Sequence, residues 1–404
     1  MYNSRLDALT DYPFQRLTAL LADLKPSGKG EPIAMSIGEP QHPAPDLIHL
    51  ELARHAFGWN KYPPTNGTMA YRSAVAHWLT KRYGLEYGWI DGNRNTLPVA
   101  GTREGLFMAA MLAVPPEKNE QTPAVLMPNP FYQVYVGAAV MAGADPVFVP
   151  ATRDSNFQPD FSTLDEGVLD RTALAYICSP ANPQGAVATL ERLQDIIRLA
   201  RKHDFVVVGD ECYSEIYPNA PPPGLLEACA AMDGDGKGDL SNVLVFNSLS
   251  KRSNVPGLRA GFVAGDAALI AKFQTLRSHG GAVTPLPVMA AAAALWNDER
   301  HVESNRALYR QKFSDAADIF GSRFGFSVPD GGFFLWLDVG DGREAARALW
   351  QQGGIKVLPG TFLSRPGDDG TNPGDRYIRV ALVHDRVATA NALSRMFDIL
   401  SKEV

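Results

Sequence analysis

The chain has 404 residues, 45% of them hydrophobic and 20% charged, with a net charge of −6. That balance describes a globular chain with room for two or three domains. It offers no nucleic-acid signature, no basic run is long enough to make one, and the apolar run Met289 to Trp296 is too short to span a bilayer. The opening residues MYNSRLDALTDYPFQRL lack an apolar core and give no secretory signal. Cys178, Cys212 and Cys229 show no CxxC spacing, so a reduced, cytoplasmic chain is expected.

Residues 6–24 carry Leu6, Leu9, Phe14, Leu17, Leu20 and Leu21 at helical spacing, with an interruption expected near Pro13. SIGEPQHPAPD (36–46) is a Gly/Pro loop, and 46–57 reads as helix again. KYPPTNG is turn-rich, and a helix follows from about Thr68 with Ala70, Val75, Trp78 and Leu79 inward. From residue 96 short apolar runs alternate with helices: TLPVA, AVLM, DPVFVP, LAYIC, FVVVGDE and NVLVFN are predicted strands. Such alternation implies right-handed crossovers and a mostly parallel sheet. Ligands bind outside the carboxyl ends of such strands. The ends before Gly101, Pro128, Ser179, Asp210 and Ser248 are therefore the places to search. Helices at about 287–297 and 301–324 follow, and the remainder reads as a smaller α+β unit. The expected division is an N-terminal arm at 1–45, a large domain at 46–285 and a small domain at 286–404.

The central stretch is VLVFNSLSKRSNVPGLRAGF, residues 243–262. Val243 to Phe246 reads as a buried strand that breaks into Asn247, Ser248 and Ser250 before Lys251. Burial lowers the pKa of an amine just past a buried strand and favours the free base. Ser248, Ser250 and Arg259 supply hydroxyls and a cationic fork for a phosphate. A covalent lysine beside a phosphate seat is what pyridoxal 5′-phosphate demands. A solvated loop lysine is the alternative reading, and Lys356 in GGIKVLPG is a second candidate without a serine-rich flank.

The other strand ends converge on the same chemistry. Gly101-Thr102-Arg103 opens a helix whose free N–H groups suit a phosphate, although Thr is also an ordinary N-cap. No GxGxxG is present, so a dinucleotide site is not supported. Phe131 and Tyr132 could stack on a planar ring or serve only as core. In SPANPQG, Pro183 restrains Asn182 to extended backbone, aiming an amide that could bond a phenolate oxygen. Asp210 ends a buried strand, where a carboxylate is costly unless paired. A protonated pyridine nitrogen would be its partner, and a structural Asp–Arg pair is the alternative. Tyr213 lies three residues on, and Glu211 should face the other side of the strand. Arg379, inside the apolar strand RYIRVALV, suits a substrate carboxylate, whereas Arg376 suits a solvated face. DGDGKGD (233–239) resembles the start of a calcium loop, but Lys237 and Leu244 occupy ligand positions, so it is set aside.

Together SPANPQG, VVVGDECY and SLSKRSNVPGLRAG resemble the fold-type I pyridoxal-phosphate aminotransferases, from SIGEP at 36 to RVALV at 379. The resemblance implies a mostly parallel seven-stranded sheet sandwiched by helices, with a smaller α+β domain. It implies that Lys251 is the Schiff-base lysine and proton shuttle, and that Asp210 faces the ring nitrogen. Asn182 and Tyr213 match the phenolate ligands and Tyr132 the stacking ring. Ser248, Ser250, Arg259 and the Thr102–Arg103 helix start match the phosphate cup. Arg379 matches the α-carboxylate clamp, and Gly38 the loop that closes over substrate. Tyr62 matches a tyrosine reaching the phosphate of a second subunit, which implies a homodimer with shared sites. SIGEPQHPAP, PVAGTREGLF and VLPGTFLSR are most similar to bacterial N-succinyldiaminopimelate aminotransferases, with Gln184 where Thr is commoner. An amino acid and a 2-oxo acid are the implied substrates. A general aspartate-, alanine- or kynurenine-type aminotransferase, a C–S β-lyase, or a non-catalytic cofactor-sensing regulator are the alternatives.

Overall fold

The computed structural model describes residues 1–27, 30–233 and 238–403, so the stretch 233–239 set aside above lies largely outside the described residues. The strands are β1 (Ile33–Ala34), β2 (Thr96–Val99), β3 (Ala124–Asn129), β4 (Asp145–Pro150), β5 (Thr172–Cys178) and β6 (Val206–Asp210). They continue with β7 (Val243–Ser248), β8 (Gly261–Gly265), β9 (Phe334–Asp338), β10 (Ile355–Lys356), β11 (Leu358–Pro359) and β12 (Tyr377–Ala381). Seven of them form one sheet in the order β2-β8-β7-β6-β5-β3-β4. All neighbours are parallel except β8, which runs antiparallel to both β2 and β7. Six carboxyl ends therefore lie along one edge of the sheet, where ligands of such folds bind.

Six of the seven strands coincide with the apolar runs in the sequence. β8 does not, because GFVAG carries a glycine at each end and reads as loop. The structure gives the reason for those glycines. A Cβ at Gly261 would stand 2.6 Å from the Asn247 carbonyl oxygen, and one at Gly265 (φ +145°) 2.0 Å from that of Val243. Along β7 the buried side chains alternate between the two faces of the sheet. Val243 and Val245 join one core with Val207 and Phe262, and Leu244 and Phe246 join the other with Val208 and Val263.

A helix at Met69–Tyr83 starts on Thr68, whose hydroxyl accepts from the Tyr71 N–H at 3.3 Å, and stops at Gly84 with φ +62°. Its buried stripe is Tyr71, Ala74, Val75, Trp78 and Leu79. Ala70, expected inward, is exposed: it falls in the first turn, one residue ahead of that stripe. The N-terminal region divides before Pro13 as expected, into a short 3-10 turn at Ser4–Ala8 and a helix at Pro13–Leu20.

The second core gathers β9, β12, the helices Arg300–Phe320 and Arg386–Glu403, and Met35 from the N-terminal region. β1 pairs with β10, and β11-β12-β9 form a three-stranded antiparallel sheet. The helix Leu286–Trp296, just past the expected boundary at 285, packs through Met289, Ala292 and Trp296 into the core of the large sheet.

Candidate active site

The carboxyl edge of the large sheet, the segment around Gly38 and β12 enclose a cavity of about 400 Å³. Ser248 closes β7 and caps a single helical turn, Leu249–Arg252, its Oγ accepting from the Ser250 N–H at 3.1 Å. That turn projects Lys251 into the cavity. Burial is the main cause that brings the Lys251 ammonium down to about 8. Its Nζ donates to the Gly38 carbonyl oxygen and sits 5.6 Å from the Phe333 ring centroid. About a tenth of the amine is then free base at pH 7, far more than for a solvated lysine, which suits a nucleophile and proton carrier. Lys356 is excluded from this role, since its Nζ lies over the Trp350 ring at 4.4 Å, outside the cavity.

The groups expected to seat a phosphate meet at the start of the helix Thr102–Ala113. Its N-cap, Gly101 (φ +80°), offers no side-chain cap, so the first-turn N–H groups have no side-chain acceptor there. A Cβ on Gly101 would stand 2.2 Å from Arg259 Nη2, so only glycine lets that guanidinium approach the helix start. Arg259 donates to the Pro256 carbonyl at 2.8 Å and to that of Ala100 at 3.3 Å. The Ser248 and Ser250 hydroxyls lie 2.9 Å apart on the same wall.

Asp210 ends β6 and is 4% exposed. Its Oδ2 accepts from the Tyr135 hydroxyl at 2.7 Å and its Oδ1 from the Cys212 N–H at 3.4 Å. Burial raises its pKa, and these hydrogen bonds with Cys212 and Tyr135 oppose the rise, as Lys251 does. Glu211 faces away, taking the Tyr83 hydroxyl at 2.6 Å and the Leu225 N–H at 2.9 Å. Asn182 lies in the loop after β5, and both the Ser179–Pro180 and Asn182–Pro183 peptides are cis. Its Oδ1 accepts from Arg379 Nη1 at 2.8 Å, which leaves its Nδ2 as the donor side. Tyr213 is packed edge-on against Phe333 and Phe334.

Arg379 on β12 also donates through Nη2 to the Ser36 carbonyl at 2.7 Å and lies over Phe334 at 4.3 Å. Its Nε is buried without a partner, and burial lowers its pKa to about 10. Arg376 instead pairs with Asp338 at 3.0 Å on an exposed face. Gly38 fits under Phe334, whose Cζ would stand 2.6 Å from any Cβ there.

One placement differs from the sequence reading in detail. The Arg103 side chain turns away from the helix start: its Nε donates to the Tyr132 hydroxyl at 3.0 Å and its Nη2 to that of Tyr12 at 3.4 Å. Only its backbone N–H remains for a phosphate. Tyr62 stands outside this cavity with a fully exposed side chain. The remaining candidates, Thr102, Tyr132, Asn182, Asp210, Tyr213, Ser248, Ser250, Lys251, Arg259, Gly38 and Arg379, all line it. Sequence reasoning missed Tyr135, because an aromatic at i+3 from Tyr132 reads as core. The Cys212 thiol, which the sequence left open between a place near the site and plain core, lines the cavity 3.0 Å from the Thr102 hydroxyl.

Residues 31–396 match the family of class I and II aminotransferases. The chain belongs to that family. An LL-diaminopimelate aminotransferase of Desulforudis audaxviator is 31% identical, covering 98% of this chain and 97% of that protein. The 4-dedimethylamino-4-oxo-anhydrotetracycline transaminase OxyQ of Streptomyces rimosus is 33% identical over 89% of this chain and 92% of its own. A crystal structure of an aminotransferase from Neisseria meningitidis superposes with a TM-score of 0.93 at 40% identity, covering 99% and 100% of the two chains. The protein is a transaminase that uses pyridoxal 5′-phosphate and acts on amino-acid and keto-acid substrates. The cavity fits that cofactor. The uncapped helix start, the Gly101 cradle and Arg259 suit its phosphate, and the buried Asp210 carboxylate and Lys251 amine on the same cavity suit its ring N–H and its carbonyl. No helix of the described residues is long and apolar enough to cross a membrane.

Proposed function

We propose that this aminotransferase moves the amino group of glutamate to N-succinyl-2-amino-6-oxopimelate, giving N-succinyl-diaminopimelate and 2-oxoglutarate. The observation that carries the substrate class is a set of three arginines, Arg103, Arg259 and Arg379, on one cavity. Among the described residues none of the three forms an ion pair with a carboxylate. Three unpaired cationic forks suit three anions: the cofactor phosphate at Arg259, an α-carboxylate at Arg379 and a distal carboxylate at Arg103. Glutamate and the succinylated acceptor both carry a distal carboxylate. The names of the diaminopimelate aminotransferases support the carbon skeleton, and free LL-diaminopimelate is the second reading they favour.

Asn182 and Tyr213 would hold the cofactor's phenolate oxygen, Asp210 its ring N–H, Tyr132 its face, and Thr102, Arg103 N–H, Ser248, Ser250 and Arg259 its phosphate. Bound there, pyridoxal 5′-phosphate supplies a carbonyl carbon for the amine and a ring that accepts charge from the substrate Cα. The chain's own residues do the rest. Arg379 fixes the α-carboxylate and so orients the Cα–H bond. Lys251, as a free amine, would take the Cα proton and deliver it across the nitrogen to the carbonyl carbon that the cofactor supplies. Its pKa of about 8 lets it do both near neutral pH. Phe333, Phe334 and the Gly38 segment exclude water from the amine.

We further propose a homodimer in which Tyr62 completes the neighbouring site. Tyr62 is fully exposed, with Leu50, Phe57, Trp59 and Met69 also exposed nearby in the chain, a run of large apolar groups that asks for a cover. The test is a half-reaction. Holoenzyme is mixed separately with glutamate, N-succinyl-LL-diaminopimelate, LL-diaminopimelate, aspartate and kynurenine, and the absorbance change of the bound cofactor is followed. The reading requires glutamate and the succinylated substrate to react fastest. A win for aspartate or kynurenine would sink it and leave the transaminase chemistry standing.

A further inference from the structure

A buried lysine stands behind the cavity and takes no part in the chemistry above. Lys312, on the helix Arg300–Phe320, is 1% exposed. Its Nζ donates to His42 Nε2 at 2.7 Å and to the Leu382 carbonyl at 2.8 Å, and lies 4.9 Å from the Tyr309 ring centroid. Among the described residues no carboxylate comes within ion-pair distance of it. Burial lowers its pKa to about 7, with Asp385 opposing. A buried amine without an acid partner costs stability, and an apolar side chain of the same shape would pack there at no such cost. A purely structural role does not explain it.

Its hydrogen bonds run in one direction. Because His42 Nε2 accepts from Lys312, its Nδ1 carries the proton and donates to Asn305 Oδ1 at 2.8 Å. Asn305 Oδ1 also accepts from Asn254 Nδ2 at 3.0 Å, and Asn305 Nδ2 donates to the backbone carbonyl of Lys251 at 3.4 Å. Each segment on this chain of bonds carries a cavity group. Leu382 follows directly on β12, the strand of Arg379. His42 ends the segment whose Ser36 carbonyl accepts from Arg379 and whose Gly38 carbonyl accepts from Lys251. Asn305 reaches the backbone of Lys251 itself.

We propose that Lys312 is a positioning residue for transamination, which through His42 and Asn305 ties the 36–42 segment, β12 and the Lys251 turn into one frame around the amino-acid substrate. Removing it loosens the 36–42 segment against Arg379 and Lys251 and leaves the phosphate end, built on the large sheet, in place. The cost of the buried amine disappears at the same time.

The test uses holoenzyme and the variants Lys312→Met and His42→Leu, alone and combined, with glutamate as donor. KM for glutamate is expected to rise about tenfold in each single variant. The fall in kcat should be smaller than that rise, and the Kd for pyridoxal 5′-phosphate should change less than twofold. Lys312→Met should melt at or above the wild-type temperature, which a structural anchor would not do. The double variant should match either single one, since both break one chain of bonds. His42→Gln keeps an acceptor and a donor, so it should recover most of the loss in KM, and it tests the frame even if Lys312→Met does not fold. An unchanged KM, a joint loss of kcat and cofactor affinity, additive effects in the double variant, or equal losses for His42→Gln and His42→Leu would each overturn the proposal.

Discussion

The Tyr135 hydroxyl donates to Asp210 Oδ2 at 2.7 Å, and the Tyr135 ring is stacked on Tyr176 at 4.5 Å with 10° between planes. Tyr176 in turn donates to the Leu106 carbonyl at 2.7 Å. Both rings are fully buried, so the donor on Asp210 is locked in place. Burial pushes the Asp210 carboxyl up, and this bond opposes it. A buried hydrogen bond to a charged group contributes about 1.5–3 kcal/mol. Tyr135→Phe should therefore raise the Asp210 pKa further. The sign follows directly: Asp210 works as an anion, so the acid limb of the half-reaction rate must move to higher pH. The rate at a fixed pH on that limb should fall. An acid limb that stays in place would show that Asp210 draws its charge from another source.

Gly101 is expected to be irreplaceable for a local reason. At φ +80° a side chain is strained by about 1–3 kcal/mol, and its Cβ would press on Arg259 Nη2. Gly143 (φ +85°) is the control: its Cβ would meet only the exposed end of Arg5. Gly101→Ala and Gly143→Ala should lose similar thermal stability. Only Gly101→Ala should weaken pyridoxal 5′-phosphate binding, by tenfold or more, measured as the Kd of the cofactor-free protein. Equal affinities would mean that Arg259 is not held at the helix start for the phosphate.

The sequence is most legible where one residue has one physical use. A lysine after a buried strand and a carboxylate at a strand end are costly, and their cost exposes them. Lys251 and Asp210 are found that way, and the structure places both on the cavity. Tyr135, His42 and Lys312 are illegible for the opposite reason. Each is an ordinary residue in an ordinary helix or loop, and its meaning lies in a partner at sequence separations of 75 for Tyr135–Asp210 and 270 for His42–Lys312. β8 was hidden because its glycines, which permit close strand packing, are the residues that signal a loop. The Arg103 backbone was readable as a helix start, whereas the direction of its side chain depends on Tyr12 and Tyr132 together.

Glu211 should leave a mark on stability rather than on catalysis. Burial is the main cause that lifts its pKa from the usual carboxylate range to about 7. A folded pKa above the unfolded one means that the native state holds the proton longer. Its contribution is complete below the unfolded value near 4.5, declines as pH rises toward 7, and is flat beyond. A shift of that size corresponds to on the order of 3 kcal/mol. In Glu211→Gln the amide still accepts from the Leu225 N–H and donates to the Tyr83 hydroxyl, and it has no proton to lose. The difference in unfolding free energy between the variant and the wild type should therefore grow in the variant's favour from pH 4.5 to 7. Denaturant titrations at three pH values decide it, and a constant difference would contradict the buried-acid assignment.

Arg252 holds the other face of the Lys251 turn. Its side chain is fully buried against two indoles that touch each other, with its guanidinium 4.9 Å from the Trp296 ring and 5.6 Å from that of Trp78. It donates to the Leu295 carbonyl at 2.8 Å and pairs with Glu299 at 2.6 Å. Breaking a fully buried pair costs about 3–5 kcal/mol because one charge is left without compensation. The Glu299 side chain is 33% exposed, and water screens part of that loss. Glu299→Gln should therefore destabilise by about 2 kcal/mol. The pair Arg198–Asp195 has both side chains more than half exposed, so Asp195→Asn should change stability by less than about 0.5 kcal/mol. Arg252→Lys keeps the charge but loses the planar contact with both indoles and the forked donor set. It should cost at least as much as Glu299→Gln, and urea midpoints of the three variants give the ranking. If Arg252→Lys is as mild as Asp195→Asn, the contact with the two indoles contributes nothing and the Lys251 turn is held by its backbone alone.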